Sequence, residues 1–355
     1  MQMFVEVGAV ETARDLYVNG HNSLNRNGYD SLFSFTKSDE LKGPEQYEVF
    51  TRFYGKEDYL NTLIQDHLDK AKSNQTYEMS SQIISVFCQL MIMFMRPLRL
   101  LQSSLQLCKE ENNFASLERW NQAAANIFGS IVRTTSTTVS TDEGTLIYSA
   151  LNSACKMFNT CFHTDPNHER SIGKEMNLAN EYAKTGDCAA LEASLELIVS
   201  KMQSALVQNA IYSASLLKDD FNSDEFIQGF RIASGMAVIP LVAVGERLSA
   251  QKIQAMIDNP EQVDLDLIVH AFKRAVPIML GLDCQDVGSL IKYGGFCVGD
   301  VILNEEENTN DGENRTSPKD NDISRESIND ENTSDLSENN FPFNRYPLDL
   351  DAWEL

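Results

Sequence analysis

From Asp187 onward, Leu191, Leu195, Ile198, Met202 and Leu206 recur at steps of three and four residues, which sets them on one face of an α-helix. Such a face has to be buried against other elements, so a chain built this way folds as a helical assembly. Gly186, just ahead, suits the left-handed residue that ends a preceding helix, and Asp187 suits the cap of the next. The same periodicity runs over Tyr59–Lys72, Glu78–Lys109, Phe114–Val132, Thr145–Phe158, Asp224–Gly245, Ser249–Ile257 and Asp264–Leu280, with Pro97 expected to kink the second stretch. No set of period-two strands accompanies them. The expected fold class is all-α: a multi-helix domain over residues 1–303, with the polar stretch Thr134–Thr141 marking a candidate subdivision.

Charge divides the chain differently. The net charge is -23, and residues 305–355 alone hold 15 acidic against 4 basic side chains. The Asp, Glu, Asn and Ser content of 304–340 is too poor in apolar groups to offset ordering entropy, so a disordered acidic tail is expected there. Beyond it, 341–355 reads as a candidate docking peptide, with Leu348, Leu350, Trp353 and Leu355 available either to a partner groove or to the chain's own domain. An acidic balance repels phosphate backbones and argues against a nucleic-acid partner. The longest apolar runs, Ile83–Met95, interrupted by Gln89, and Ile232–Gly245, fall short of the roughly 20 residues that span a bilayer, so the chain is expected not to be membrane-spanning. Its N-terminus lacks a basic region followed by an apolar one, as expected of a cytosolic protein or of a chain that begins after its leader.

Seven cysteines leave at least one thiol unpaired. On one continuous helix, Cys155 and Cys161 would sit about 9 Å apart along the axis and roughly 240° around it, beyond the roughly 7 Å Cα separation a disulfide tolerates. They can join directly if the helix ends between them. Otherwise each needs another partner, and Cys188 and Cys284, at expected helix starts or turns, are the best placed. Reduced core cysteines in a cytosolic protein remain the competing reading. Sequons at Asn74, Asn314 and Asn332 tilt the balance slightly toward export.

Several motifs occur in a recognisable order: Gly144-x-Leu146-x-Tyr148, the Cys155 and Cys161 pair with Phe158 between them, the Gly186-Asp187-Cys188 turn, Leu206-Val207-Gln208, and Cys284-Gln285-Asp286-Val287-Gly288. Over residues 143–292 this pattern resembles the algal low-iron-inducible periplasmic proteins, also called iron-assimilating proteins. The resemblance implies a periplasmic or extracellular protein that binds or concentrates iron near the cell surface to assist its uptake, alongside a cell-surface iron transporter and with no enzymatic activity of its own. It also implies that Cys155, Cys161, Cys188 and Cys284 are disulfide-bonded. The competing class is a cytosolic helical adaptor that recruits a partner through its C-terminal acidic-aromatic peptide.

Ferric iron is a hard cation that favours carboxylate and phenolate oxygens, while imidazole is more typical of ferrous sites. The densest such group is His163, Asp165, His168 and Glu169, where a loop over Thr164–Asn167 would let the two histidines converge. A second group, Tyr47, Glu48, Tyr54, Asp58 and Tyr59, reads more simply as helix packing with wet hydroxyls. Met91, Met93 and Met95 lie in an apolar helix and read as core. His163 stands two residues from Cys161, a spacing that seldom makes a nucleophile and base. A glycine-rich phosphate loop, a nucleophile elbow and a metalloprotease motif are all missing from the sequence, so a non-enzymatic protein is expected.

Overall fold

The computed structural model describes residues 1–21, 24–25, 28–29, 31–74, 76–129, 146–165, 168, 171–216, 224–258, 265–279, 282, 284–290 and 294–295. The candidate subdivision at 134–141, the acidic tail 304–340 and the docking peptide 341–355 lie outside them. The described residues all belong to one compact unit, and that unit is all-α. Its strands are two-residue antiparallel ladders: Leu24–Asn25 with Gly28–Tyr29, and Ser289–Leu290 with Gly294–Gly295.

The N-terminal part comprises α1 (Gln2–Glu6), α2 (Val10–Asn19), α3 (Ser38–Leu41), α4 (Glu45–Tyr54), α5 (Tyr59–Asn74) and α6 (Tyr77–Phe87). A π-helical turn, Cys88–Ile92, joins α6 to α7 (Met93–Lys109). The expected irregularity therefore falls just ahead of Pro97, which has no N–H to offer the Met93 carbonyl one turn back. Then follow α8 (Asn113–Phe128), α9 (Ile147–Phe158), a 3-10 turn at Cys161–His163, α10 (Ile172–Thr185), α11 (Cys188–Ser215), α12 (Glu225–Ala243), α13 (Arg247–Asp258), α14 (Leu265–Met279) and the short α15 (Cys284–Val287).

The expected punctuation around α11 is present. Gly186 ends α10 at φ 79°, and the Asp187 side chain accepts from Ala190 N at 3.2 Å to cap α11. The helix itself differs from a simple one-face pattern. From Ser204 to Ala210 every residue is buried, and Lys201, Gln203, Gln208 and Asn209 are buried with them. Small side chains such as Ser204, Ala205, Ala210 and Ser213 let α7, α9, α10, α12 and α14 close around it, so α11 is the axis of the core rather than a wall of it.

Among the described residues two helical stretches, Tyr77–Lys109 and Glu225–Ala243, are long and apolar enough by length and composition to cross a bilayer, which the length of the apolar runs did not anticipate. Their most apolar windows are 72% and 67% buried within the unit, the position of core helices. They supply the α6–α12 and α7–α8 packing. Trp120 of α8 is fully buried and donates from Nε1 to Met176 O at 3.0 Å, fixing α8 on α10.

Candidate functional site

Several of the motifs that stand apart in sequence meet at one buried junction, while the Gly186-Asp187-Cys188 turn lies apart from it. It begins where α9 ends. Asn159 takes a left-handed conformation, φ 57° and ψ 39°, which short polar Asn tolerates better than most residues, and the chain reverses into Thr160 and the 3-10 turn. That reversal meets the condition for a direct bridge. Cys155 and Cys161, 4.6 Å apart at Cα, form a disulfide.

The loop so closed is tied in on several sides. Tyr148 donates its phenol hydrogen to Thr164 O at 3.0 Å, and Thr164 donates its hydroxyl to Asn152 Oδ1 at 3.2 Å. Gln208, fully buried on α11, donates from Nε2 both to Thr160 Oγ1 at 2.8 Å and to Val287 O at 2.9 Å. His163 is also fully buried, with Nε2 3.0 Å from Asp286 O; a carbonyl can only accept, so this nitrogen carries the proton. Gly288 adopts φ 72°, and a Cβ there would run into Phe158 O, so only glycine lets the strand after α15 lie against the end of α9. Tyr148, the Cys155–Cys161 pair, Gln208 and the Asp286-Val287-Gly288 run thus hold α9, α11 and α15 together.

A second disulfide, Cys108–Cys188, joins the last turn of α7 to the first of α11 with Cα atoms 5.7 Å apart. Beside it, Lys109 pairs with Glu192 at 2.9 Å on the surface. Cys188 was expected to serve the Cys155 and Cys161 block. It pairs instead with Cys108, 80 residues earlier, a partner that no local spacing could indicate. The side chain of Cys284 lies outside the described residues. Cys88 keeps a free thiol; burial pushes its pKa up to about 12, so it stays protonated and unreactive.

The expected metal group is divided by this architecture. His163 points into the junction, whereas Asp165 and His168 are exposed, and Glu169 lies outside the described residues. The Phe162 ring contacts both histidines, at centroid distances of 4.2 Å from His163 and 5.4 Å from His168. Among the described residues no three His, Cys, Asp or Glu side chains gather in a way that would hold a metal ion. With Cys161 in a disulfide, no Cys161 thiol stands beside His163.

The tyrosine group is likewise consumed by packing. Tyr47 and Tyr59 are buried, Tyr54 stacks on Tyr59 at 5.5 Å, and Tyr47 and Tyr54 donate to the carbonyls of Glu57 and Met236. Burial raises the Tyr59 phenol well above its ordinary pKa, and Glu48 and Asp58 remain on the surface. Met91 and Met95 are fully buried.

Fold and junction together define a class: among the described residues, an all-α protein with one disulfide joining α7 to α11, a second closing the turn after α9, and a buried polar knot at that turn. Compared with known proteins, no family model, no curated protein and no solved structure matches this chain.

Proposed function

We propose that this protein works outside the cytoplasm as a non-catalytic helper of iron uptake, binding iron near the cell surface and passing it to a transporter. The observation that carries the reading is the convergence at one junction of Tyr148, Cys155, Cys161, Gln208 and Asp286 to Gly288, the residues through which the chain resembles iron-assimilating proteins. Two disulfides fit an oxidising compartment, where such bonds persist. Within the reading, His163 holds the loop in place, and the exposed Asp165 and His168 offer a carboxylate oxygen and an imidazole to iron as cargo.

Two measurements test it. Alkylation of the unreduced, denatured chain followed by intact mass is expected to show at least two disulfides; seven free thiols would exclude the compartment. Titrating the folded protein with ferric and then ferrous iron is expected to raise its melting temperature, since a ligand that binds the folded state alone stabilises it. Asp165→Ala with His168→Ala is expected to abolish the rise, measured against the variant's own metal-free melting temperature. Absence of any rise in the parent protein would reject direct iron binding.

A further inference from the structure

We propose that the Cys155–Cys161 disulfide is a thiol-sensitive clasp that governs the docking of residues 284–290 onto α9 and α11. The two disulfides are unequally presented. Cys108 is buried and Cys188 half-buried, whereas Cys161 stands exposed on its turn with Cys155 buried beneath it. An external thiolate therefore has an open approach to Cys161 Sγ. The group it would expel, Cys155, lies with its sulfur 3.6 Å from the Thr164 hydroxyl, which can donate to a departing thiolate by turning its one hydrogen away from Asn152 Oδ1.

What the clasp holds is specific. The short ring between Cys155 and Cys161 fixes the reversal at Asn159 and Thr160, and two attachments of the C-terminal segment depend on it, while a third comes from Gln208 of α11. Thr160 Oγ1 shares the Gln208 amide with Val287 O, the backbone at Gly288 rests on Phe158 O, and the His163 ring reaches Asp286 O. Opening the ring returns conformational freedom to the turn, weakens the Phe158 and His163 contacts together, and leaves the Gln208 amide to hold Val287 without its Thr160 partner. α11 is held independently by Cys108–Cys188 and by its burial. The expected response is local release of 284–290 with the helical core intact.

The chemistry needs a dithiol. One of its thiolates attacks Cys161 Sγ, forming a mixed disulfide and releasing Cys155 as a thiolate that takes up a proton. The second thiolate then displaces Cys161, so the dithiol leaves as a cyclic disulfide, and two electrons and two protons have passed to Cys155 and Cys161.

Graded dithiothreitol on the native, full-length chain, quenched by alkylation and read by peptide mass, gives the order of opening; hydrogen exchange on the same samples reads the segment. The clasp predicts that Cys155 and Cys161 are alkylated first, that amides in 284–290 then exchange roughly tenfold faster or more, and that α11 keeps its protection. Cys155→Ala with Cys161→Ala is expected to reproduce the loosened segment without reductant. Earlier or simultaneous opening of Cys108–Cys188, or unchanged exchange in 284–290 once the Cys155–Cys161 bond is reduced, would overturn the proposal. Because the reduction uses the wild-type chain, it decides the matter even if the paired variant fails to fold, and it is independent of the iron titration.

Discussion

Replacing Gln208 with leucine tests the junction directly. Leucine nearly conserves the volume, so little cavity forms and the change isolates the polar contribution. The wild-type amide donates to Thr160 Oγ1 at 2.8 Å and to Val287 O at 2.9 Å from a fully buried position. Two acceptors lose their donor, each costing about 1–2 kcal/mol where burial keeps water away. The side-chain oxygen of Gln208, buried and with no partner among the described residues, disappears too, and its removal returns about 1 kcal/mol. The net expectation is a loss of about 2 kcal/mol in urea unfolding at neutral pH, with an unchanged m-value. Gln106→Leu, on the exposed side of α7, is the control, expected to move stability by less than about 0.5 kcal/mol. Gln208→Glu sharpens the test: the ionised carboxylate has no hydrogen for Val287 O, so it should be at least as damaging as leucine at pH 7. Its folded-state pKa would be raised by burial, so relative to Gln208→Leu it should recover as pH falls through that value and the acid regains one donor. A loss below about 0.5 kcal/mol for Gln208→Leu would mean that the knot contributes nothing beyond packing.

Gly288→Ala should destabilise by more than about 2 kcal/mol, combining a left-handed φ with a Cβ driven into Phe158 O, whereas Gly55→Ala, at φ 68° with open space around it, should cost only about 1 kcal/mol; chemical denaturation of both separates conformation from contact. On loop-closure grounds, Cys108→Ser with Cys188→Ser should cost about 4–5 kcal/mol, and Cys155→Ala with Cys161→Ala about 2 kcal/mol, because the first closes a loop of 80 residues and the second one of 6; equal losses would refute the entropic account. Burial, with a smaller contribution from Lys70, holds the His67 pKa down at about 3. The imidazole is therefore neutral in the fold but takes a proton in the unfolded chain below about 6.5. The stability this confers is complete above that pH and is lost as pH falls toward 3, at about 1.4 kcal/mol per pH unit. The stability difference between wild type and His67→Leu should shrink accordingly between pH 6.5 and 4.5.

Helices with strong periodicity and visible caps were legible in the sequence. The boundaries of α5, α9, α12 and α14 follow the spacing of apolar residues, and Gly186 and Asp187 end one helix and open the next for local reasons. The short helices α1 and α3 were not legible, because five- and four-residue segments such as Gln2–Glu6 and Ser38–Leu41 hold too few turns for a period to show. α4 carried its own markers, Pro44 before and Gly55 after, but Tyr47, Tyr54 and Tyr59 drew attention as ligands when their rings were filling the space between α4 and α5. The Cys155–Cys161 bridge could be stated only conditionally, since whether α9 stops between the two depends on one residue, Asn159, entering a left-handed conformation. Cys108 was invisible as a partner because its pairing arises from the packing of α7 on α11.

The same distinction bears on what the family-like residues mean. Tyr148, Cys155, Cys161, Gln208, Val287 and Gly288 direct their polar atoms or close approaches into the protein, so they specify how α9, α11 and α15 meet. Residues committed in this way specify an architecture. A cargo ion has to be met by groups that face solvent, and among the described residues of this loop Asp165 and His168 are exposed. Junction and ligand loop are therefore separable by mutation. Gln208→Leu should lower stability in proportion to its lost hydrogen bonds while leaving any iron-induced rise in melting temperature, and Asp165→Ala with His168→Ala should do the reverse. If Gln208→Leu abolished the iron response in a chain that remained folded, the ligands would have to lie at the junction itself, and the division between a structural knot and a solvent-facing site would fail.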